Sequence, residues 1–234
     1  MSPRPAVPKG ARTGAAGEGT PVRPVMRRRH IFPAIAALAW LAGCGRRRGQ
    51  AAILPASASV LALGDSLTAG YGAPAGADWP AQLARLTGWE LHNEGVNGDT
   101  AEGALARLEP LLAAQRFDAV LVGIGGNDML RGVPAQSTRT AIAELLRQAK
   151  AHTPHVALIA TPAPDAMRAA VGVLADAPFY AELAREAQVQ LLAGVYAGVL
   201  SDAALRSDRI HANAQGYARI AEEIAAQLRE AGWR

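Results

Sequence analysis

Short runs of consecutive apolar residues alternate along this chain with segments whose apolar positions recur every three or four residues. Val60-Leu61-Ala62-Leu63 is apolar throughout and stops at Gly64. Ala119-Val120-Leu121-Val122-Gly123-Ile124 is a longer run of the same kind, and Val156 to Ala160 is a third, stopped by Pro162. Such runs suit strands buried on both faces. Glu90 to Asn93 predicts a weaker strand, and Val189 to Leu192 a fifth. Between them the spacing is helical. Trp79 to Leu86 is one such segment, and Thr100 to Leu112 is another, with Leu105, Leu108, Leu111 and Leu112 on one face. Ser137 to Ala151 turns Ile142, Leu145, Leu146 and Ala149 inward; Phe179 to Gln188 follows, and Asn213 to Ala231 closes the chain, ended by Gly232. Thr100 has Gly103 three residues on, which is half a capping box.

This alternation predicts an α/β fold, a three-layer sandwich with a central, roughly five-stranded parallel sheet covered by helices on both faces. Ligands of such folds bind beyond the carboxyl ends of the strands. Residues just after Leu63, Asn93, Ile124 and Ala160 are therefore expected to line a site. The chain has no internal repeat, and the folded body is expected over residues 59–234.

The first fifty residues differ in kind. Residues 1–25 hold five Pro and four Gly without apolar periodicity and read as a disordered or over-extended start. Met26 is followed by Arg27-Arg28-Arg29-His30 and an apolar run from Ile31 to Ala42. That run is shorter than the ~20 residues a membrane span needs. A basic start, a short apolar stretch and small residues before a cut site describe a secretory signal over 26–43. Leu41-Ala42-Gly43-Cys44 resembles a bacterial lipoprotein box. The resemblance implies cleavage before Cys44, a lipid on its sulfur, and a periplasmic protein anchored to a membrane. Residues 44–58 then read as a tether.

Charge follows the same division. The formal net charge of +4 over 234 residues invites a nucleic-acid reading. Residues 1–50 hold ten Lys and Arg against one acidic residue, whereas residues 51–234 hold fourteen against nineteen. The body is thus mildly acidic, without a basic stripe, and nucleic acid is excluded as its partner. With Cys44 as the one cysteine, disulfide frameworks and multi-cysteine metal sites are excluded. His152 and His155 flank Pro154 and are expected in a surface turn rather than on a metal. Gly123-Ile124-Gly125-Gly126-Asn127-Asp128 starts like a dinucleotide-binding turn but lacks its third glycine. No cofactor or metal is expected.

Four strand-end or helix-start segments carry candidate chemistry. Gly64-Asp65-Ser66-Leu67 places a serine after the first strand. It is a nucleophile if a base takes its proton; alone, the segment reads first as a helix cap supplied by Asp65 or Ser66. Asn97-Gly98-Asp99 follows the second strand and is first of all a turn, although glycine also lets a backbone N–H approach a substrate oxygen. Gly125-Gly126-Asn127-Asp128 offers a side-chain amide that can donate to an oxyanion. Asp208-Arg209-Ile210-His211 precedes the last helix, with Asp208 spaced to fold back on the His211 ring. An imidazole, whose ordinary pKa is ~6.5, suits a general base at neutral pH.

Taken together and in this order, the four segments resemble the blocks of the SGNH-hydrolase (GDSL esterase/lipase) family. Trp79-Pro80, Gly98-Asp99-Thr100, Leu105-Ala106-Arg107-Leu108 and Asn127-Asp128-Met129-Leu130-Arg131-Gly132 resemble its thioesterase I / arylesterase branch. The resemblance spans roughly residues 59–230. It implies a flavodoxin-like sheet and a serine esterase acting on small acyl esters or thioesters. It further implies Ser66 as nucleophile, His211 as base and Asp208 as its orienting partner. The oxyanion hole would comprise the Ser66 and Gly98 N–H groups and the Asn127 amide. Ala212 stands where the family has proline, and residues 161–178 lack the Asn-Tyr-Gly-like segment of the branch. A carbohydrate O-acetylesterase and a non-catalytic lipoprotein on the same fold remain as alternatives.

Overall fold

A computed structural model describes residues 53–164 and 172–234. The extension at 1–25, the signal segment 26–43, Cys44 and most of the tether lie outside the described residues.

Five strands form one sheet: β1 (Ser59–Gly64), β2 (Glu90–Gly95), β3 (Ala119–Gly123), β4 (His155–Ile159) and β5 (Gln190–Leu192). All pairs are parallel, in the order β2-β1-β3-β4-β5. This is the flavodoxin-like doubly wound order, whose ligand crevice opens between β1 and β3. The helices are α1 (Ser66–Ala69), α2 (Trp79–Thr87), α3 (Ala101–Ala114), α4 (Gly126–Leu130), α5 (Ala135–His152), α6 (Phe179–Ala187), α7 (Val195–Ser201) and α8 (Ala214–Glu230).

The apolar runs make a core on both sides of the sheet. Val60 and Ala62 face α2, α7 and α8, against Trp79, Leu83, Tyr217, Ile220 and Ile224. Leu61 and Leu63, one residue out of phase, face α3, α5 and α6, against Leu108, Ile142, Leu145 and Tyr180. Each fully buried side chain of this size stabilises by about 1.5–3 kcal/mol relative to exposure. β2 reads weakly because it is an edge strand without a fully buried residue.

Three helices were not legible from periodicity. α1 and α4 are single turns hung on strand ends. α7 buries Val195, Tyr196, Ala197, Val199 and Leu200, so it lacks a polar face to set a period.

Two expectations are corrected. The body begins before residue 59: Leu54 is buried, and its N–H donates to the Trp233 carbonyl at 2.9 Å. His155 is not in a surface turn but is buried at the start of β4, edge-on to the Trp233 ring. His152 ends α5, and its Nε2 accepts the Phe117 N–H at 2.9 Å.

Gly64, Gly95 and Gly123 stand side by side at the carboxyl ends of β1, β2 and β3. A Cβ on Gly95 would overlap the backbone of Ala69, and one on Gly64 would overlap the Thr68 hydroxyl and the Gly123 carbonyl. Absent side chains at the sheet edge therefore let α1 lie directly against it. That contact fixes where Ser66 stands.

Candidate active site

Ser66 is the first residue of α1, and Asp65 is its N-cap. The Asp65 carboxylate accepts the Leu67 N–H at 3.0 Å, while its carbonyl accepts those of Thr68 and Ala69. The cap and the candidate nucleophile are thus neighbouring residues, so capping by Asp65 leaves the Ser66 hydroxyl free of that task. Burial pushes the Asp65 carboxyl up to about 6; the Leu67 N–H and His211 pull it down, and Asp99 and Asp128 push it further up.

His211 arrives from a loop closed by an antiparallel bridge between Arg206 and Ala212. Asn213 seals the loop: its N–H donates to the Leu205 carbonyl, and its side-chain oxygen accepts the Gly216 N–H as N-cap of α8. Ala212 therefore lies ahead of the helix, not in its first turn.

Within this loop one Asp208 oxygen accepts the N–H groups of Ile210 and His211, each at 2.8 Å. The other stands 2.7 Å from His211 Nδ1. Burial alone would raise the Asp208 carboxyl, but the hydrogen bonds from the His211 ring and these two N–H groups hold it below the usual carboxylate range. A carboxylate only accepts, so Nδ1 carries the ring proton and Nε2 of the neutral imidazole is left as acceptor. That atom lies 3.0 Å from Ser66 Oγ. The Tyr71 ring packs against the imidazole, with centroids 4.5 Å apart. The structure thus brings Ser66, His211 and Asp208 into one line of hydrogen bonds at the sheet's carboxyl edge.

The remaining predicted residues stand on two adjoining loops. Gly98 has φ +76°, in a turn closed by the Asp99 N–H on the Val96 carbonyl. The Asn127 amide donates one N–H to the Asp99 carbonyl at 3.0 Å and retains a second. Ser66, Asn127 and His211 line one cavity of about 620 Å³; Gly98 is not part of its wall. The cavity follows β1, β3 and β4, as expected of loops beyond those strands. Its apolar wall includes Leu67, Leu130, Pro162, Leu174, Leu200 and Ile210.

Several supporting residues lie in the segments that carry the family resemblance, but the sequence assigned them no role. Arg107 donates to the Asp99 carboxylate and to the Gly64 carbonyl, each at 2.9 Å. It ties the end of β1 to the turn that carries Gly98. Arg131 donates to the Gly98 carbonyl at 2.8 Å. Buried Asp128 accepts the Ala101 N–H at 3.0 Å and the Thr138 hydroxyl at 3.3 Å, joining α4 to the starts of α3 and α5. Sequence spacing could not reveal these ties, because each joins different elements of the fold and three end on backbone atoms.

A doubly wound 2-1-3-4-5 sheet bearing serine, glycine, asparagine and histidine blocks on its carboxyl edge defines the SGNH class of ester hydrolases. The chain belongs to the GDSL-like Lipase/Acylhydrolase family, whose profile matches residues 62–219. It is 37% identical over 180 residues to the Thioesterase 1/protease 1/lysophospholipase L1 of Escherichia coli strain K12, covering 74% of this chain and 84% of that relative. It is 32% identical over 181 residues to the Arylesterase of Vibrio mimicus, covering 74% and 89%. The crystal structure of TesA superposes with a TM-score of 0.65 at 25% identity, covering 74% of this chain and 99% of TesA.

Proposed function

We propose that this chain hydrolyses acyl esters or thioesters through Ser66, His211 and Asp208. The observation that carries the reading is the line from Asp208 Oδ2 through both ring nitrogens of His211 to Ser66 Oγ, with separations of 2.7 and 3.0 Å. Nε2 takes the hydroxyl proton as Oγ attacks the acyl carbonyl. The imidazolium then forms beside a carboxylate already hydrogen-bonded to hold its charge. The oxyanion is met by the Ser66 and Gly98 N–H groups and by the free N–H of Asn127. His211 returns the proton to the departing alcohol or thiol. Water, deprotonated by the same nitrogen, then cleaves the acyl-enzyme and releases the acid. No step calls for a metal or cofactor.

The apolar cavity wall favours acyl chains over sugar acetates, which would suit a shallow polar cleft. The activities named for the two relatives, a thioesterase/lysophospholipase and an arylesterase, point the same way. A binding protein on this fold would need no base aligned on Ser66. The test is Ser66→Ala with a p-nitrophenyl ester: the variant folds and hydrolysis is lost. Undiminished hydrolysis refutes the assignment.

We further propose export by residues 26–43 and lipidation at Cys44, on the strength of the Leu41-Ala42-Gly43-Cys44 box. Arg46-Arg47-Arg48 follow on the translocated side, against the positive-inside rule, which makes the direct measurement worthwhile. Radiolabelled palmitate enters wild type and not Cys44→Ala; equal incorporation refutes lipidation.

A further inference from the structure

The body of this protein is net acidic, and most of its cations are engaged by carboxylates or carbonyls. Among the described residues, only the side chains of Arg116, Arg185, Arg206, Arg209 and Arg229 have no hydrogen-bond or ion-pair partner. Three of these are accounted for. Arg185 and Arg229 stand in the last turns of α6 and α8, and Arg116 follows the end of α3, where a cation faces the negative end of a helix. All three are exposed.

Arg206 and Arg209 are different. Both line the cavity that holds Ser66 and His211. Arg206 is half-buried, whereas the other four partner-free cations are exposed. Withdrawing a guanidinium from water without a counter-charge is unfavourable. The Asp208 carboxylate beside them is already held by the Ile210 and His211 N–H groups and the His211 ring. The cavity therefore presents positive charge with nothing in the described fold to meet it.

We infer that Arg206 and Arg209 form an anion subsite for a carboxylate or phosphate carried on the departing alcohol or thiol of the substrate. The side follows from the loop. Both arginines lie on the segment that carries His211, the group that returns the proton to the leaving oxygen or sulfur, whereas the oxyanion donors stand on other loops. A guanidinium suits either anion, since its fork of donors matches two oxygens at once. This subsite rests on the esterase reading and adds the chemical class of its leaving group.

The test compares esters with one acyl group: 4-butyryloxybenzoate and 4-butyryloxyphenyl phosphate, whose leaving groups are anionic, and neutral methyl 4-butyryloxybenzoate. Wild type is set against the double variant Arg206→Gln, Arg209→Gln. The ratio of anionic to neutral kcat/KM falls about tenfold in the variant, through KM, as one half-buried and one exposed ion pair would give. Salt at about 0.5 M lowers the same ratio in wild type. Whichever anion loses more is the one the subsite was shaped for. A ratio that stays within about twofold overturns the subsite. So does a loss confined to mono-p-nitrophenyl glutarate, whose anion is on the acyl side. If wild type hydrolyses none of these esters, both readings fall; if it hydrolyses them without the ratio moving, only the subsite falls.

Discussion

Nε2 of His211 stands 3.0 Å from Oγ of Ser66, although 145 positions of chain separate the two residues. Neither side chain reaches far for this contact. Ser66 is set by glycines at the strand edge, which let α1 rest on the sheet. His211 is set by a loop whose ends are clamped by the Arg206–Ala212 bridge and by Asn213. Each partner is positioned by its own scaffold before any substrate binds, and this lowers the ordering that the reaction would otherwise require.

Asp208→Asn separates loop geometry from ring chemistry. An asparagine oxygen can still accept the Ile210 and His211 N–H groups, so the loop keeps its shape. Its amide would donate toward Nδ1, forcing the ring proton onto Nε2 and removing the base. We expect kcat to fall by about 10³–10⁴ with an unaltered circular dichroism spectrum. A loss of less than tenfold would mean that Asp208 does not set the tautomer.

Asn127→Ala removes an amide side chain from the cavity wall and its bond to the Asp99 carbonyl. Loss of one oxyanion donor lowers kcat by ~10²–10³ with a small change in KM. A kcat within a few-fold of wild type takes Asn127 out of this role.

Arg107→Ala leaves the Asp99 carboxylate, whose side chain is 10% exposed, without its ion-pair partner. We expect a loss of about 2–3 kcal/mol in urea unfolding, less than for a fully buried pair because Arg107 itself is 23% exposed. Arg107 is a positioning residue for the Gly98 turn, so kcat falls more than KM rises. Equal kcat in variant and wild type would limit Arg107 to stability.

Asp65→Asn tests the buried carboxyl beneath the nucleophile. Its folded pKa of about 6 lies above the ordinary value of 3.8, so the fold holds this proton more tightly than the unfolded chain does. That contribution is complete below about pH 4 and is lost as pH rises through about 6. Wild-type stability measured against Asp65→Asn therefore declines by up to about 3 kcal/mol across this window and then levels. Parallel stability curves would contradict the burial of an ionisable group there.

The strands and long helices were legible because burial on two faces, or on one stripe, leaves a period in the residues themselves. Ser66 and the Asp208–His211 pair were legible as candidates from a strand end and a three-residue spacing, while their roles came only from the family resemblance. The contacts of Arg107, Arg131 and Tyr71 were not legible, since their partners are a carbonyl, another carbonyl and a ring on elements distant in the chain. The cations of Arg206 and Arg209 stood in plain view in the chain, yet only the cavity distinguishes them from solvated surface charge.

The central claim is that Ser66 is an activated nucleophile, and a fluorophosphonate probe reads this directly. The phosphonyl group should be found by mass spectrometry on the peptide containing Ser66, and labelling should vanish in Ser66→Ala and fall sharply in Asp208→Asn. Wild-type protein that stays unlabelled, or a label that persists in Ser66→Ala, would contradict the account.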